Sequence, residues 1–215
     1  MNKINSFSKL IEKTVFSLFL LSSTYIVNAG EIDCGILKNP YGPFDYTNPD
    51  HVRLKLPVVE GHHFNTNVQN LIRGQEGFLW GDLDYVLRAF PNHHRALDTM
   101  ARYQLKNPDD ATNIPELRSI ECYFDRAIRF KPNDAVIYFV YGIYLQRKGD
   151  LALSKKKYND AIRFGLKSSE LYYNYGLLLF ELKEFEESKI YAQKALELDY
   201  PIMGLVNKLK SINKW

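Results

Sequence analysis

The chain is expected to fold as an all-α stack of antiparallel helix pairs, and three observations carry that expectation. Apolar residues recur at three- and four-residue spacing through most of the sequence from residue 65 onward, the mark of amphipathic helices. Like residues recur 34 positions apart: Gly142 and Gly176, Ser154 and Ser188, Tyr138 and Tyr172, and the series Ala127, Ala161, Ala195. The 215 residues are 46% apolar, 25% charged and 14% aromatic, an ordinary globular composition that excludes a wholly disordered, collagen-like or polytopic membrane chain.

The formal charge is +3, and leaving out Lys3, Lys9, Glu12 and Lys13 brings the balance of the rest to +1. So even a balance argues against bulk binding of nucleic acid or anionic membrane, which needs clustered positive charge. The first 29 residues read as a secretory signal peptide: three lysines, an apolar run Val15–Leu21, then small residues at Val27 and Ala29. Cleavage is expected between Ala29 and Gly30. The alternative, an uncleaved anchor, is disfavoured because the strongly apolar run is shorter than the roughly 20 residues a spanning helix needs. Acylation at Cys34 is disfavoured because Glu31-Ile32-Asp33 precedes it. The expected location is therefore outside the cytosol, the periplasm first and the medium second, with no membrane span after cleavage.

Two cysteines remain, Cys34 and Cys122. In an oxidising compartment an even pair is most simply a disulfide, although two separate buried thiols fit the sequence as well. A bridge across the 87 residues between them is worth about 4 to 5 kcal/mol in the chain-entropy account. Residues 30–64 show neither helical nor alternating periodicity through Asn39-Pro40-Tyr41-Gly42 and Asn48-Pro49-Asp50, which are turn-forming. They are expected to form an irregular arm laid against the body, anchored by its aromatics and by Leu54, Leu56, Val58 and Val59. The alternation Val52, Leu54, Leu56 allows a short strand.

From residue 65 to 215 the body divides into repeats. Ala135 to Lys167 carries Tyr138, Tyr141-Gly142, Leu145, Ser154, Tyr158 and Ala161; Ser169 to Tyr200 carries Tyr172, Tyr175-Gly176, Leu179, Ser188, Ala192 and Ala195. Glycine and serine at these offsets allow the two helices of a pair to approach closely, and the large residues fill the space that remains. This set resembles the tetratricopeptide repeat (TPR) family, which implies a right-handed superhelix of antiparallel helix pairs. Upstream, Ala127-Ile-Arg-Phe-Lys-Pro132 and Val86-Leu-Arg-Ala-Phe-Pro91 look like repeat endings. They imply degenerate pairs at 65–90 (helices Thr66–Arg73 and Asp82–Phe90) and 93–131. In the second of these, His94–Lys106 is the first helix, Asn107–Asn113 a polar insertion, and Pro115 opens a helix running to Phe130. A terminal helix at 201–213 closes the exposed end.

The resemblance also implies a binding face, since first helices of the pairs line the concave side where this family receives peptides. The repeat offsets place Arg95, Asp98 and Arg102 there from the second pair, Phe139, Ile143 and Arg147 from the third, and Tyr173, Leu177 and Phe180 from the fourth. That mixture suits an extended or helical segment of another protein. The alternative is that Phe139, Tyr173 and Phe180 pack against the arm or the terminal helix. The family's carboxylate clamp is missing its usual side chains, because Phe139 and Tyr173 occupy its slots.

All five histidines, His51, His62, His63, His93 and His94, lie in the first half, which raises a metal-binding or hydrolase reading. Their spacing opposes it: no helical His-x-x-x-His pair occurs and no cysteine is close in sequence. Phosphate-loop, Gly-x-Ser-x-Gly and zinc-protease motifs are absent from the sequence. The expectation is a non-enzymatic exported scaffold without a cofactor, binding a protein or peptide partner of the bacterial cell envelope. A histidine-dependent metal protein or hydrolase and a secreted factor are the rival readings.

Overall fold

Asn48 starts the first helix by accepting hydrogen bonds from the amides of Asp50 and His51, with Pro49 pre-set for the first turn. That residue sits inside the segment expected to be an irregular arm, and the expectation is corrected there. The computed structural model describes residues 33–215, and the signal-peptide reading of residues 1–29 lies outside the described residues. Among the described residues the regular elements are all helices, with no strand. Residues 33–48 are irregular, but α1 (Pro49–Leu54) and α2 (Leu56–His63) follow. Val52, Leu54 and Leu56, which allowed a strand, are helical. Two prolines at first-turn positions, Pro49 and Pro57, favour helix starts, and this outweighs a three-residue alternation.

The first pair is also corrected. The helix expected at Thr66–Arg73 is the single turn α3 (Thr66–Gln69), capped by Asn65, and α2 supplies the longer first member against α4 (Leu79–Ala89). Of the four proposed arm anchors, Leu56 and Val59 are buried, whereas Leu54 and Val58 are exposed.

The second pair is α5 (His94–Lys106) with α7 (Ile120–Phe130); the insertion between them holds a single turn, α6 (Asp110–Asn113). Pro115 does not open α7. The Gln104 side chain donates to the carbonyl of Arg118 (2.8 Å) and accepts from the amide of Ile120 (2.8 Å), which fixes residues before Ile120 as a connector. Ser119 then caps the helix. The third pair is α8 (Ala135–Lys148) with α9 (Leu151–Arg163), the fourth α10 (Ser169–Glu181) with α11 (Phe185–Glu197), and α12 (Gly204–Ser211) ends the stack. Each second member, α4, α7, α9 and α11, also packs on the first helix that follows it.

The close approach within pairs has a repeated chemical cause. Ser154 donates its hydroxyl to the Gly142 carbonyl at 2.9 Å, and Ser188 does the same to Gly176 at 2.8 Å. A Cβ at Gly142 would lie 2.7 Å from the Tyr158 ring, so the missing side chain is what admits that ring. Position 192, one repeat on, is alanine, and the notch at Gly176 is filled by Leu205 from α12 instead. Ala127, Ala161 and Ala195 are all buried.

The irregular segment 33–48 is firmly tied to the helices. Cys34 and Cys122 form a disulfide. The buried Arg126 guanidinium donates to the carbonyls of Ile36 (2.6 Å) and Cys34 (3.3 Å), and Arg129 donates to that of Gly35 (3.0 Å). Farther along, the Phe44 amide donates to the Ala89 carbonyl (2.8 Å), and Tyr41, Phe44 and Tyr46 pack on the core.

Candidate functional site

The cleft is built where α3, α5 and α8 meet. Phe64 ends α2 and is buried; Gln69 and Asn70 come from α3 and its end; His94, Arg95, Asp98, Thr99 and Arg102 come from α5; Phe139, Val140 and Ile143 come from α8. These residues enclose about 400 Å³. Phe64, Phe139, Val140 and Ile143 supply apolar surface, and α5 supplies charge along the same depression. A segment entering it would bury an apolar side chain and meet polar groups at the edge, the usual division of labour in peptide recognition.

The charged groups are held in set positions. Arg102 donates through Nε to Asp98 (2.8 Å) and through a terminal nitrogen to the Gln69 carbonyl (3.0 Å) and the Thr99 hydroxyl (3.0 Å), clamping α3 onto α5. Arg95 lies over the Phe64 ring, donates to the Gln69 side chain, and is 4.0 Å from Glu60. Arg147 stands 4.0 Å from Asp98 on the other side of the cleft.

Five of the expected binding residues, Arg95, Asp98, Arg102, Phe139 and Ile143, line this one cleft, with Arg147 at its rim. Tyr173, Leu177 and Phe180 do not join them. They are half-buried and pack on the cluster formed by Ala192, Leu205 and Leu209, so the terminal helix takes up part of the face they were expected to offer. The Tyr173 ring also lies against Tyr200, and Lys208 sits over Phe180. Their spacing is the same as that of the open residues; what differs is α12, which repeat offsets alone do not place. Phe64, Gln69, Asn70, His94, Thr99 and Val140 were missed. The Asn-Pro helix start at Asn48-Pro49 was the available signal that the first pair begins earlier.

The histidines tie segments together. His63 Nδ1 is 2.8 Å from Asp82, and His94 Nε2 is 2.8 Å from Asp134. His51 Nδ1 accepts from the Asp45 amide at 2.9 Å. His93, fully buried, caps α5 by accepting from the Ala96 amide at Nδ1 (3.2 Å), which leaves its proton on Nε2 for Glu60 (3.0 Å). Burial pulls the His93 pKa below its ordinary value, and the hydrogen bond from His93 holds the Glu60 carboxyl below its own. Among the described residues no three His, Cys, Asp or Glu side chains are grouped to hold a metal ion, and no helix is long and apolar enough to cross a membrane.

Residues 169–201 match the tetratricopeptide repeat family. A TPR repeat-containing protein of Dictyostelium discoideum is 32% identical over 75 residues, which cover 34% of this chain and 28% of that protein. The chain thus spans well under two thirds of that relative's length. Helix pairs in 34-residue register, serine-to-glycine contacts in two successive pairs and these two matches converge on one statement: the described residues form an all-helical, TPR-like fold, and residues 169–201 are similar to a tetratricopeptide repeat.

Proposed function

We propose that the chain is a non-enzymatic scaffold that holds a segment of a protein partner in the cleft between α3, α5 and α8. The observation that carries this reading is the cleft itself: apolar side chains and placed cations on helices already locked by hydrogen bonds and packing. A receptor in its binding shape spends little free energy on ordering when the partner arrives. The repeat match supports a protein partner, because this family consists chiefly of protein-interaction scaffolds.

The proposed place of action is outside the cytosol, in the cell envelope of a bacterium and first of all the periplasm. Two features support it: the charged, apolar and small-residue order of residues 1–29, and the disulfide, which persists in oxidising compartments. An affinity pull-down from envelope extract tests the site, comparing the unaltered protein with Ile143→Asp and with Ile190→Asp. Ile190 is exposed on α11, away from the cleft-lining residues, and serves as the control. Loss of the partner with Ile143→Asp and retention with Ile190→Asp is expected. Equal recovery from both variants, each folded by circular dichroism, contradicts the site.

A further inference from the structure

We infer that the partner segment in this cleft is acidic, with carboxylates flanking one large aliphatic or aromatic side chain; the inference rests on the scaffold reading above and gives it a chemistry. Three guanidiniums, Arg95, Arg102 and Arg147, stand around the depression. Three carboxylates lie by the cleft; one of them, Asp134, is buried and taken up by His94 at 2.8 Å. Asp98 serves both Arg102 at 2.8 Å and Arg147 at 4.0 Å, and Glu60 is engaged by His93 at 3.0 Å while lying 4.0 Å from Arg95. Arg102 spends its Nε and one terminal nitrogen within the protein. Arg147 makes no hydrogen bond among the described residues, and Arg95 makes one, to the Gln69 side chain.

Arg95 and Arg147 are each about half exposed, at 56% and 51% of their side-chain surface. Guanidinium donors are thus left facing solvent on both sides of an apolar floor. An incoming carboxylate accepts charge-assisted hydrogen bonds from these donors, whereas an incoming ammonium, itself only a donor, cannot. The floor, with Phe139 and Ile143 half-buried and open to the cleft, takes the apolar side chain. A basic partner segment would fit this arrangement of donors less well.

The test is fluorescence anisotropy with three labelled short peptides sharing one central phenylalanine and one leucine, their remaining positions all Asp, all Asn or all Lys. The Asp peptide is expected to bind the full chain about tenfold or more tightly than the Asn peptide and to weaken as salt rises, while the Lys peptide binds least. The double variant Arg95→Ser/Arg147→Ser is expected to abolish the preference for Asp over Asn, and Ile143→Asp to abolish binding of all three. Equal or tighter binding of the Lys peptide, a preference unchanged in the double variant, or no binding of the Asp peptide overturns the inference. Self-association lost in Ile143→Asp, read by sedimentation, also overturns it by making a second copy the occupant. The scaffold reading is judged separately, since partner recovery in the pull-down takes no account of the charge of the captured segment.

Discussion

Two hydroxyls and two absent side chains set the distance between the helices of the last two pairs. Ser154 and Ser188 each bond to the carbonyl of the glycine opposite, and a side chain at either glycine would stand in another residue's place. At Gly142 the intruded neighbour is the ring of Tyr158, fully buried and unable to swing aside. Gly142→Ala is therefore expected to destabilise: overpacking costs about 1–3 kcal/mol, against a helix-propensity gain of about 1 kcal/mol. At Gly176 the neighbour is a Leu205 methyl on the short α12, which can shift, so Gly176→Ala is expected to be close to neutral. Urea denaturation of the two variants checks the order; a more damaging change at Gly176 contradicts it. The same scale carries a pH effect. Native His93 resists protonation because burial disfavours its charged form, so its pKa lies below the ordinary 6.5; a proton on Nδ1 would also end its cap on α5. The unfolded chain takes up that proton first. Its contribution to stability is therefore complete above pH 6.5 and is lost as the pH falls below that value. Burial alone would raise the Asp45 carboxyl, but hydrogen bonds from Lys131, Thr47 and Asn92 outweigh it and hold its pKa well below 3.8, so a second loss of stability follows on stronger acidification. His93→Asn, which keeps a capping side chain but cannot titrate, is expected to flatten the decline between neutral and mildly acidic pH. An unchanged slope contradicts the role given to His93.

Helix ends show how far the 34-residue register goes beyond what residue identities reveal. Gly149 closes α8 in the left-handed conformation, with the Asp150 amide reaching back to the Leu145 carbonyl at 2.9 Å. One repeat later Lys183 adopts the same conformation after α10, with the Glu184 amide on the Leu179 carbonyl at 2.9 Å. Gly165 after α9 and Asp199 after α11 form a second such pair. The backbone thus repeats where the sequence does not, because the turn is dictated by packing and a lysine or aspartate is tolerated at a cost. Replacing Lys183 by Gly is expected to stabilise the protein by roughly 1 kcal/mol, seen as a higher melting temperature, since glycine adopts this conformation without a Cβ clash. No change or a fall contradicts it. The cysteines were legible as a pair, and their meeting was not, because chain length fixes the value of a bridge but not whether the sulfurs reach each other. Reduction, or Cys34→Ser, is expected to lower stability by up to about 4 to 5 kcal/mol while leaving the helical signal at low temperature, since Arg126, Arg129 and the Phe44–Ala89 contact still hold the segment. Loss of helix on reduction contradicts that division of roles.

For the molecule as a whole, the third and fourth pairs could be read because glycine, serine and alanine at fixed offsets leave few other ways to pack. The N-terminal boundary carried a weaker signal, since Asn48-Pro49-Asp50 fits a helix start and a turn alike, and α4 beneath α2 decides between them. The candidate site divides along the same line. Arg95, Asp98, Arg102, Phe139 and Ile143 converge because α5 packs on α8 although the insertion sets their starts 41 residues apart, whereas Tyr173, Leu177 and Phe180 keep the 34-residue register and pack toward a helix outside the repeat. The partner is thus expected at the cleft lined by the first of these groups. Photo-crosslinking in the cells that make the protein tests it most directly, with a photoreactive amino acid placed in turn at Ile143, Leu177 and Ile190. A discrete partner adduct from Ile143, and none from Leu177 or Ile190, is the predicted result; adducts from Leu177 as strong as those from Ile143, or none from Ile143, would contradict it.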